Sequence, residues 1–204
     1  LPNKVKEGRL EDIRTCTGCL HCFDMRNKNK KLECRVNATL GRELEPDYRC
    51  GPPTRKKKVL VVGGGPAGME AARVAARRGH EVALYEAGPH LGGLVPVAAI
   101  VKDMETEDLT DFVRYLETQL QKENVNVNLK VRVTPDLVRS ERPDVLVLAA
   151  GAAHTHFDLP GVDGPKVIKA EKLHDRLRLA LRFFSARRLE RLTRLWMPVA
   201  GSVV

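Results

Sequence analysis

The stretch GGGPAG at residues 63–68 decides the fold of this chain. It matches the pattern G-x-G-x-x-G, which alone is a weak signal and gains its meaning from its setting. An apolar run over 59–63 is typical of a buried parallel strand, and the alanine-rich stretch over 66–78 is typical of a helix, closed by Gly79. A glycine-rich turn between a strand and a helix predicts a dinucleotide site, with a tight β-α turn and nothing more as the alternative.

Each residue of this turn has its own physical task. Gly63 permits the tight turn, Gly65 lets the backbone approach a pyrophosphate, and Gly68 lets the helix pack close to the strand. The first helical turn, which starts with Pro66 and Ala67, directs backbone N–H groups and a partial positive charge towards the phosphates. We therefore predict that these five residues form the phosphate-binding part of the site.

An acidic residue completes the nucleotide pattern. Glu86 follows a second predicted strand over 81–85, at the place where an acid accepts hydrogen bonds from ribose hydroxyls. The same carboxylate would repel a 2′-phosphate. The pattern therefore argues against NADP at this site.

Two further motifs favour FAD over NAD. Gly92 and Gly93 follow shortly after Glu86, and a later apolar strand ends in Ala150 and Gly151. Both resemble secondary motifs of flavoproteins that carry two dinucleotide-binding domains. In those proteins the first motif passes near the flavin pyrophosphate, and the second turns towards the NAD(P)H domain.

The remaining pattern predicts an α/β fold, a Rossmann-like doubly wound parallel sheet preceded by an irregular cysteine-rich loop. Aromatic residues make up only 4% of the chain, so an aliphatic core is expected. Val133, which ends the third strand, joins the predicted cofactor-binding residues. The predicted strands cover 59–63, 81–85, 125–133 and a buried one at 144–149, and the predicted helices cover 66–78 and 106–122, the latter with an apolar face of Leu109, Phe112, Val113, Leu116 and Leu120.

Four cysteines, Cys16, Cys19, Cys22 and Cys34, are spaced as C-x2-C-x2-C-x11-C. Three closely spaced thiols and a fourth further along can converge on one metal ion or cluster, and this spacing favours a 4Fe–4S cluster. A four-cysteine zinc site is the main alternative, although zinc sites usually pair two C-x2-C knuckles. A disulfide framework fits poorly beside a cofactor domain of cytosolic character. The fifth cysteine, Cys50, is predicted to be an idle or buried thiol.

Several stretches taken together resemble one known group of proteins. They are IRTCTGCLHC at 13–22, CRVN at 34–37, GRE at 41–43, and the glycine-rich turn with its flanks at 59–72. The chain resembles the iron–sulfur flavoproteins related to bacterial 2,4-dienoyl-CoA reductase and trimethylamine dehydrogenase, which are Old Yellow Enzyme-like NADH:flavin oxidoreductases. The likeness covers residues 1–165.

This resemblance implies a division of labour along a longer protein. Residues 1–50 are expected to bind the cluster, residues 51–165 to bind FAD or ADP, and residues 166–204 to form a basic helical connection. An FMN-bearing (β/α)8 barrel is expected before this chain, and an NAD(P)H-binding domain after it. Electrons would pass from NAD(P)H through FAD and the cluster to FMN, and on to an activated alkene such as an enoyl-CoA thioester. In the amine dehydrogenases of the group, the same Rossmann site holds ADP and does no redox work.

The resemblance also sets expectations about partners. Substrate chemistry would take place in the barrel, so no catalytic acid or base is expected in this chain. The expected partners are the barrel and NAD(P)H domains of the same protein and a small-molecule substrate such as a CoA thioester. Assembly of the protein into a homo-oligomer is left open.

The formal net charge of +9 raises the question of a nucleic-acid partner. The charge is concentrated at 55–58 and in a leucine-rich segment over 172–196, and the aromatic platforms that bind single strands are scarce, so no nucleic-acid partner is predicted. The segment 172–196 is predicted to form two helices packed on the neighbouring domains, with a membrane-surface helix or a docking site for CoA or an acidic partner as alternatives.

No apolar run reaches the roughly 20 residues of a membrane span, and no signal peptide opens the chain, so a cytoplasmic location is expected.

Overall fold

In the computed structural model, four parallel strands form one sheet in the order β3-β2-β1-β4. The structure describes residues 1–45, 51–101, 107–152, 159–164, 167, 169–181 and 183. The strands are β1 (Lys58–Val62), β2 (Glu81–Glu86), β3 (Asn126–Leu129) and β4 (Val145–Leu148). The helices are α1 (Pro2–Lys6), α2 (His21–Asn27), α3 (Pro66–Arg77), α4 (Val95–Val101), α5 (Glu107–Lys122), α6 (Pro135–Glu141) and α7 (Ala170–Leu181), with a 3-10 turn at Leu10–Asp12. The predicted α/β class with a Rossmann-like parallel sheet is confirmed.

An aliphatic core fills the space between the sheet and helices α3 and α5. The central strand β1 contributes Val61, and α3 contributes Met69, both fully buried. Helix α5 presents an apolar stripe because its apolar residues recur three and four positions apart, and Leu116 and Leu120 lie fully buried on that stripe. Burial of each such leucine side chain stabilises the fold by about 2 kcal/mol.

The carboxyl ends of the strands meet at one edge of the sheet, because all four strands run in the same direction. Val62, the last residue of β1, is in register with Tyr85 of β2 and with Leu148 of β4. Glu86 pairs with Leu129 at the end of β3. The turn after β1, the acid at the end of β2 and the chain after β4 are therefore neighbours, at the edge where open parallel sheets bind their ligands.

The third strand is shorter than the sequence pattern predicts. It ends at Leu129 instead of Val133, because Lys130 adopts a left-handed conformation with φ of 62°. The N–H of Val131 still donates to the carbonyl oxygen of Glu86 at 3.0 Å. The chain therefore stays beside β2 for two residues after the regular strand has ended.

The fourth strand lies at the edge of the sheet as described, and the prediction that it is buried is wrong. Leu146 and Leu148 are 40% and 75% exposed, whereas Val145 and Val147 pack against the core. A continuous apolar run predicts burial on both faces only when both faces are covered. In the described part of the chain, one face of β4 lacks such cover.

Several short helices were not predicted. The cysteine segment, here residues 1–45, was expected to be an irregular loop, and in the structure it contains α1, the 3-10 turn and α2. Helix α4 and helix α6 also lie outside the predicted elements. For α6 the signal was present in the sequence, because Thr134 caps the helix by accepting a hydrogen bond from the Leu137 N–H at 3.3 Å, and Pro135 occupies the first helical position.

The cysteine segment is attached to the last turns of α5 by polar contacts. Lys122 donates to Asp12 at 2.7 Å and to Glu11 at 2.9 Å, and Gln119 donates to Asp12 at 2.8 Å. The hydrogen bond from Lys122, with a second one from Arg9, holds the pKa of Asp12 well below its usual range. This end of the attachment therefore depends on ionised carboxylates.

The basic segment is described only at its start. Its first part forms helix α7, which agrees with the predicted helical pattern, while Leu173 and Leu179 of that helix are exposed. The second predicted helix lies outside the described residues, as does Cys50. Within the described ranges, no helix has both the length and the apolar character that a membrane crossing requires.

Candidate dinucleotide and cysteine sites

The turn after β1 is closed by backbone contacts that only glycine permits. Gly63 has φ of 106°, and a Cβ atom at this position would lie 2.3 Å from the carbonyl oxygen of Ala149. A Cβ atom on Gly68 would lie 1.9 Å from the carbonyl oxygen of Gly63 and 3.3 Å from the Ala149 Cβ. The roles predicted for these two glycines, a tight turn and close helix packing, agree with this geometry.

Gly65 differs from its neighbours because space remains beside it. A Cβ atom there would meet only ordinary contact, with the Gly93 Cα at 3.9 Å. Gly65 is also the N-cap of α3, in an extended conformation, and the cap has no side-chain hydrogen bond. Pro66 occupies the first helical position, and Ala67 and Gly68 follow in the first turn, where helical N–H groups lack intrahelical partners. This helix start suits the approach of a diphosphate.

The predicted Gly92-Gly93 motif lies against the glycine-rich turn, although the two are separated in sequence. The N–H of Gly92 donates to the carbonyl oxygen of Gly64 at 2.8 Å. Gly93 has φ of 59°, and a Cβ atom on it would lie 3.1 Å from the Gly65 Cα. On the other side, a Cβ atom on Gly92 would lie 3.0 Å from a methyl group of Val113 on α5. The Gly92-Gly93 motif thus forms one wall beside the glycine-rich turn.

Glu86 reaches the same place and performs a structural task that the sequence did not reveal. One carboxylate oxygen accepts the Gly64 N–H at 2.7 Å, and the other accepts the Gly88 N–H at 2.6 Å. The side chain therefore holds the glycine-rich turn and the chain after β2 in place. Its position at the end of β2 is also the one from which an acid binds a ribose.

The remaining predicted cofactor-binding residues fall into two groups. Ala150 is adjacent to the turn, since its Cα would lie 3.1 Å from a Cβ atom on Gly63. Gly151 follows with φ of 83° and has open space beside its Cα. Val133 is half-buried in the chain between β3 and α6, two residues beyond the last contact with Glu86.

The four predicted ligand cysteines are free thiols in the structure. Cys16, Cys19 and Cys22 are exposed and Cys34 is half-buried. Cys22 lies in α2, and Cys34 forms an isolated antiparallel bridge with Asn37. Among the described residues, no group of three or more Cys, His, Asp or Glu side chains is arranged to hold a metal ion.

The chemistry of the cysteine segment nevertheless suits thiolate ligation. The backbone turns sharply between the first three cysteines, with Gly18 and Leu20 at φ of 62° and 56°. The N–H of Gly18 donates to the sulfur of Cys16 at 3.5 Å, a type of bond that stabilises a thiolate. His21, between two of the cysteines, lies 3.7 Å from Glu33. Four sulfur donors and a local N–H donor fit an iron–sulfur cluster by donor chemistry, and they also fit zinc.

A buried ion pair on α3 was missed at the sequence level. Arg73 is 5% exposed, and its guanidinium donates twice to Glu70, each time at 2.8 Å. Burial opposes the ionisation of Glu70, but the hydrogen bond from Arg73 and the charge of Arg14 outweigh it, so the pKa of Glu70 is lowered. A glutamate and an arginine three positions apart on a helix are common on surfaces, so the pattern alone gave no sign of burial.

A parallel sheet with a glycine-rich turn, an open N-terminal helix end and a strand-end acid defines a dinucleotide-binding domain of the Rossmann type. Residues 57–192 match the model of the pyridine nucleotide-disulphide oxidoreductase family, and the chain belongs to that family.

Individual relatives and solved structures are also similar to this chain. The chain is 40% identical over 154 residues to an NADH oxidase of Thermoanaerobacter brockii. This alignment covers 74% of this chain and 23% of the relative. The chain is 38% identical over 150 residues to an N,N-dimethylglycine/sarcosine dehydrogenase of Chromohalobacter salexigens, covering 72% of this chain and 21% of the relative. A structure of 2-naphthoyl-CoA reductase in complex with 2-naphthoyl-CoA superposes with a TM-score of 0.79 at 39% identity, covering 87% of this chain and 27% of that one.

These matches confirm the resemblance to the flavoprotein group that the sequence motifs indicated. The chain spans about a quarter of the length of the relatives it matches.

Proposed function

We propose that this chain is the electron-transfer part of an NAD(P)H-dependent iron–sulfur flavoprotein oxidoreductase. In this proposal FAD occupies the site at the carboxyl edge of the sheet, and a 4Fe–4S cluster is held by Cys16, Cys19, Cys22 and Cys34. When bound, the flavin exchanges electron pairs with a nicotinamide and single electrons with the cluster. The acceptor would be an FMN barrel of the same protein, which reduces an activated alkene such as an enoyl-CoA thioester.

The observation that carries the proposal is the open backbone at Gly65. This position keeps free space in a turn whose other glycines are in close contact, and it lies at the uncapped start of α3. Backbone N–H groups of the first turn would bind the diphosphate, while Glu86 would bind the ribose. Gly93 leaves the neighbouring wall without a side chain, so that the diphosphate can lie against the backbone.

The cysteine segment supports the second half of the proposal. Its four thiols are spaced as cluster ligands are, and it is attached to α3 through Arg14 and Glu70 and to α5 through Asp12. The name of one relative, an NADH oxidase, agrees with electrons that come from NADH, and the name of a similar structure, a 2-naphthoyl-CoA reductase, agrees with a CoA thioester as their acceptor. A cytoplasmic location and the barrel and NAD(P)H domains as neighbours belong to the same proposal.

A second candidate function rests on the likeness to N,N-dimethylglycine/sarcosine dehydrogenase. In this alternative the Rossmann site holds ADP and takes no part in electron transfer. The glycine turn and Glu86 would serve equally well, because they contact only the ADP half of either molecule. A third candidate, zinc on the four thiols, gives the cysteine segment a purely structural task.

One experiment separates these candidates. The whole protein is purified anaerobically, its iron, zinc, FAD and ADP are quantified, and its absorbance is recorded before and after NADH or NADPH. The proposal expects a flavin band with a broad brown shoulder, both of which bleach on addition of NADH or NADPH. A brown protein with ADP and no reducible FAD would establish the second candidate, and a colourless zinc protein the third.

Replacement of Cys19 by Ser tests the ligand assignment. The variant is expected to lose its iron and the brown shoulder while it retains FAD, because the nucleotide site shares no residue with the thiols. The matched control is Cys50→Ser, which removes the thiol that the spacing leaves unassigned and should retain the full iron content. A Cys19→Ser protein with its iron intact would show that the ligand set is wrong.

A further inference from the structure

Arg14 is one of the side chains through which the cysteine segment contacts the nucleotide-binding unit, and it lies nearest to the cysteines. Its side chain is 16% exposed. One terminal nitrogen donates to the carbonyl oxygen of Val36, and the other donates to Glu70 at 3.3 Å and to the hydroxyl of Tyr115 at 3.2 Å. The guanidinium carbon also lies 4.9 Å from the centroid of the Tyr115 ring, within cation–π range.

The two ends of the four-cysteine stretch are held by this one guanidinium. Arg14 itself stands two residues before Cys16, and Val36, whose carbonyl it binds, stands two residues after Cys34. The Val36 side chain packs against the main core, which fixes this end of the stretch further. Arg14 therefore closes the loop that carries all four predicted ligands.

The partners of Arg14 on the other side belong to the nucleotide unit. Glu70 lies on α3, the helix whose first turn faces the predicted diphosphate site, and it is fixed by the buried Arg73. Tyr115 is buried on α5. A shift of α3 would thus displace the ends of the cysteine loop through the contacts of Arg14 with Glu70 and Val36.

We propose that Arg14 is a positioning residue that couples the two cofactor sites, so that a bound cluster strengthens binding of the ADP moiety at α3 and the reverse. The inference rests on the proposed function, because it assigns a cluster to the thiols. Coupling of this kind is reciprocal, and it changes affinity by about five-fold or more in typical cases. The planar fork of an arginine serves the three acceptors and the ring together, whereas a lysine ammonium is a point donor that cannot reproduce this set.

The test measures the affinity for ADP by calorimetry, in the whole protein stripped of its dinucleotide. ADP is the probe because FAD and ADP share it, so the choice between them does not affect the result. The affinity is compared between the iron-loaded protein and the Cys19→Ser variant, and the ratio of the two dissociation constants is the coupling factor. We expect a factor of about five or more with Arg14 in place, about one in Arg14→Met, and an intermediate value in Arg14→Lys.

The matched control is Arg114→Met. Arg114 is adjacent to Tyr115 on α5, but its side chain is 70% exposed and its partner is Asp111 on the same helix. The coupling factor should therefore stay at the wild-type value. If Arg14→Met does not fold, Tyr115→Phe takes its place, because it removes one acceptor and keeps the ring. It should lower the factor without shifting the thermal unfolding midpoint by more than a few degrees.

The outcomes separate the inference from the proposed function. An iron-loaded, ADP-binding wild type with a coupling factor of one overturns the inference and leaves the proposed function standing. A factor that persists in both Arg14→Met and Tyr115→Phe also overturns it. A wild type that binds no iron overturns the proposed function, and the inference with it. A factor that falls only in the variants at Arg14 and Tyr115 establishes the coupling.

Discussion

The glycine-rich turn and the cysteine segment are two predicted cofactor sites that are held in shape by different means. The turn is fixed by backbone contacts so close that Gly63 and Gly68 have no room for a side chain. The cysteine segment is fixed by side-chain ion pairs and hydrogen bonds, from Arg14 to Val36 and Glu70 and from Lys122 to Asp12. The difference teaches that the shape of the first site rests on backbone contacts of the turn, whereas the shape of the second rests on side-chain contacts distant in sequence. Among the described residues, the four thiols are not arranged to hold a metal ion.

The largest expected effect comes from a side chain placed inside the turn. In Gly68→Ala the new Cβ would lie 1.9 Å from a backbone oxygen, which no rotamer change can relieve. We expect a loss of about 3 kcal/mol or more in the free energy of unfolding, measured by urea denaturation. Gly65→Ala is the matched control, because its Cβ meets only ordinary contact at 3.9 Å. It should keep its stability and lose affinity for ADP, and equal stability losses in both variants would contradict the described geometry.

Removal of metal should affect the order of the second site far more than the order of the first. If the thiols gather around a cluster, chelation of iron under anaerobic conditions should raise amide hydrogen exchange over 16–34 by about ten-fold or more, since the ligand then no longer orders the loop. Exchange over 59–72 should change far less, because backbone packing already holds the turn. An equal rise in both regions would show that the two sites share one source of order.

A smaller effect is expected at Glu86, whose side chain holds the glycine-rich turn from the end of β2. The carboxylate accepts two backbone N–H groups, at 2.7 and 2.6 Å. We expect Glu86→Ala to lower the free energy of unfolding by about 1–2 kcal/mol, and Glu86→Gln by less, because the amide keeps one acceptor oxygen. Thermal unfolding without ligand is the measurement. A Glu86→Ala protein of unchanged stability would mean that the acid acts on the nucleotide alone.

The smallest effect is a pH dependence at the attachment of the cysteine segment to α5. Asp12 has a folded-state pKa below its ordinary value of 3.8, with the hydrogen bond from Lys122 as the main cause. Its contribution to stability is therefore present above about pH 4 and is lost as the pH falls further. Exchange protection at the 3-10 turn should decline below pH 4 in the wild type. The decline should be smaller in Asp12→Asn, where Glu11 still pairs with Lys122, and high salt should reduce the wild-type protection at neutral pH.

The sequence predicted the glycine-rich turn and its flanking strand and helix well because these elements lie close together in the chain. The glycine spacing, the strand before it and the helix after it lie within one short stretch, and Gly68 is required by Gly63 five residues away, although Gly63 is itself confined by Ala149 after β4. The Gly92-Gly93 contact with Gly64 and Gly65 was recognisable only as a likeness to other flavoproteins, since nothing in the spacing requires it. The sequence-derived positions of the strands were correct to about one residue, except where Lys130 turned the chain out of β3.

The second region was harder to predict because its order comes from contacts distant in sequence. Arg14 meets Glu70 and Tyr115, which lie far along the chain, and no spacing in the sequence links the three. The exposure of β4 was missed for a related reason. An apolar run indicates that both faces of a strand favour burial. It does not show whether the described chain provides an element that packs on each face.

That exposed edge has a practical consequence for the handling of this chain by itself. Beyond Leu146 and Leu148, β4 also turns an unpaired edge of N–H and C=O groups outwards in the described sheet. Such an edge is a template on which another strand can add, and an apolar, uncharged one invites self-association into insoluble material. Expressed separately, the chain should stay in solution only at low concentration, and a charged replacement such as Leu148→Lys should raise that concentration without disturbing the nucleotide site.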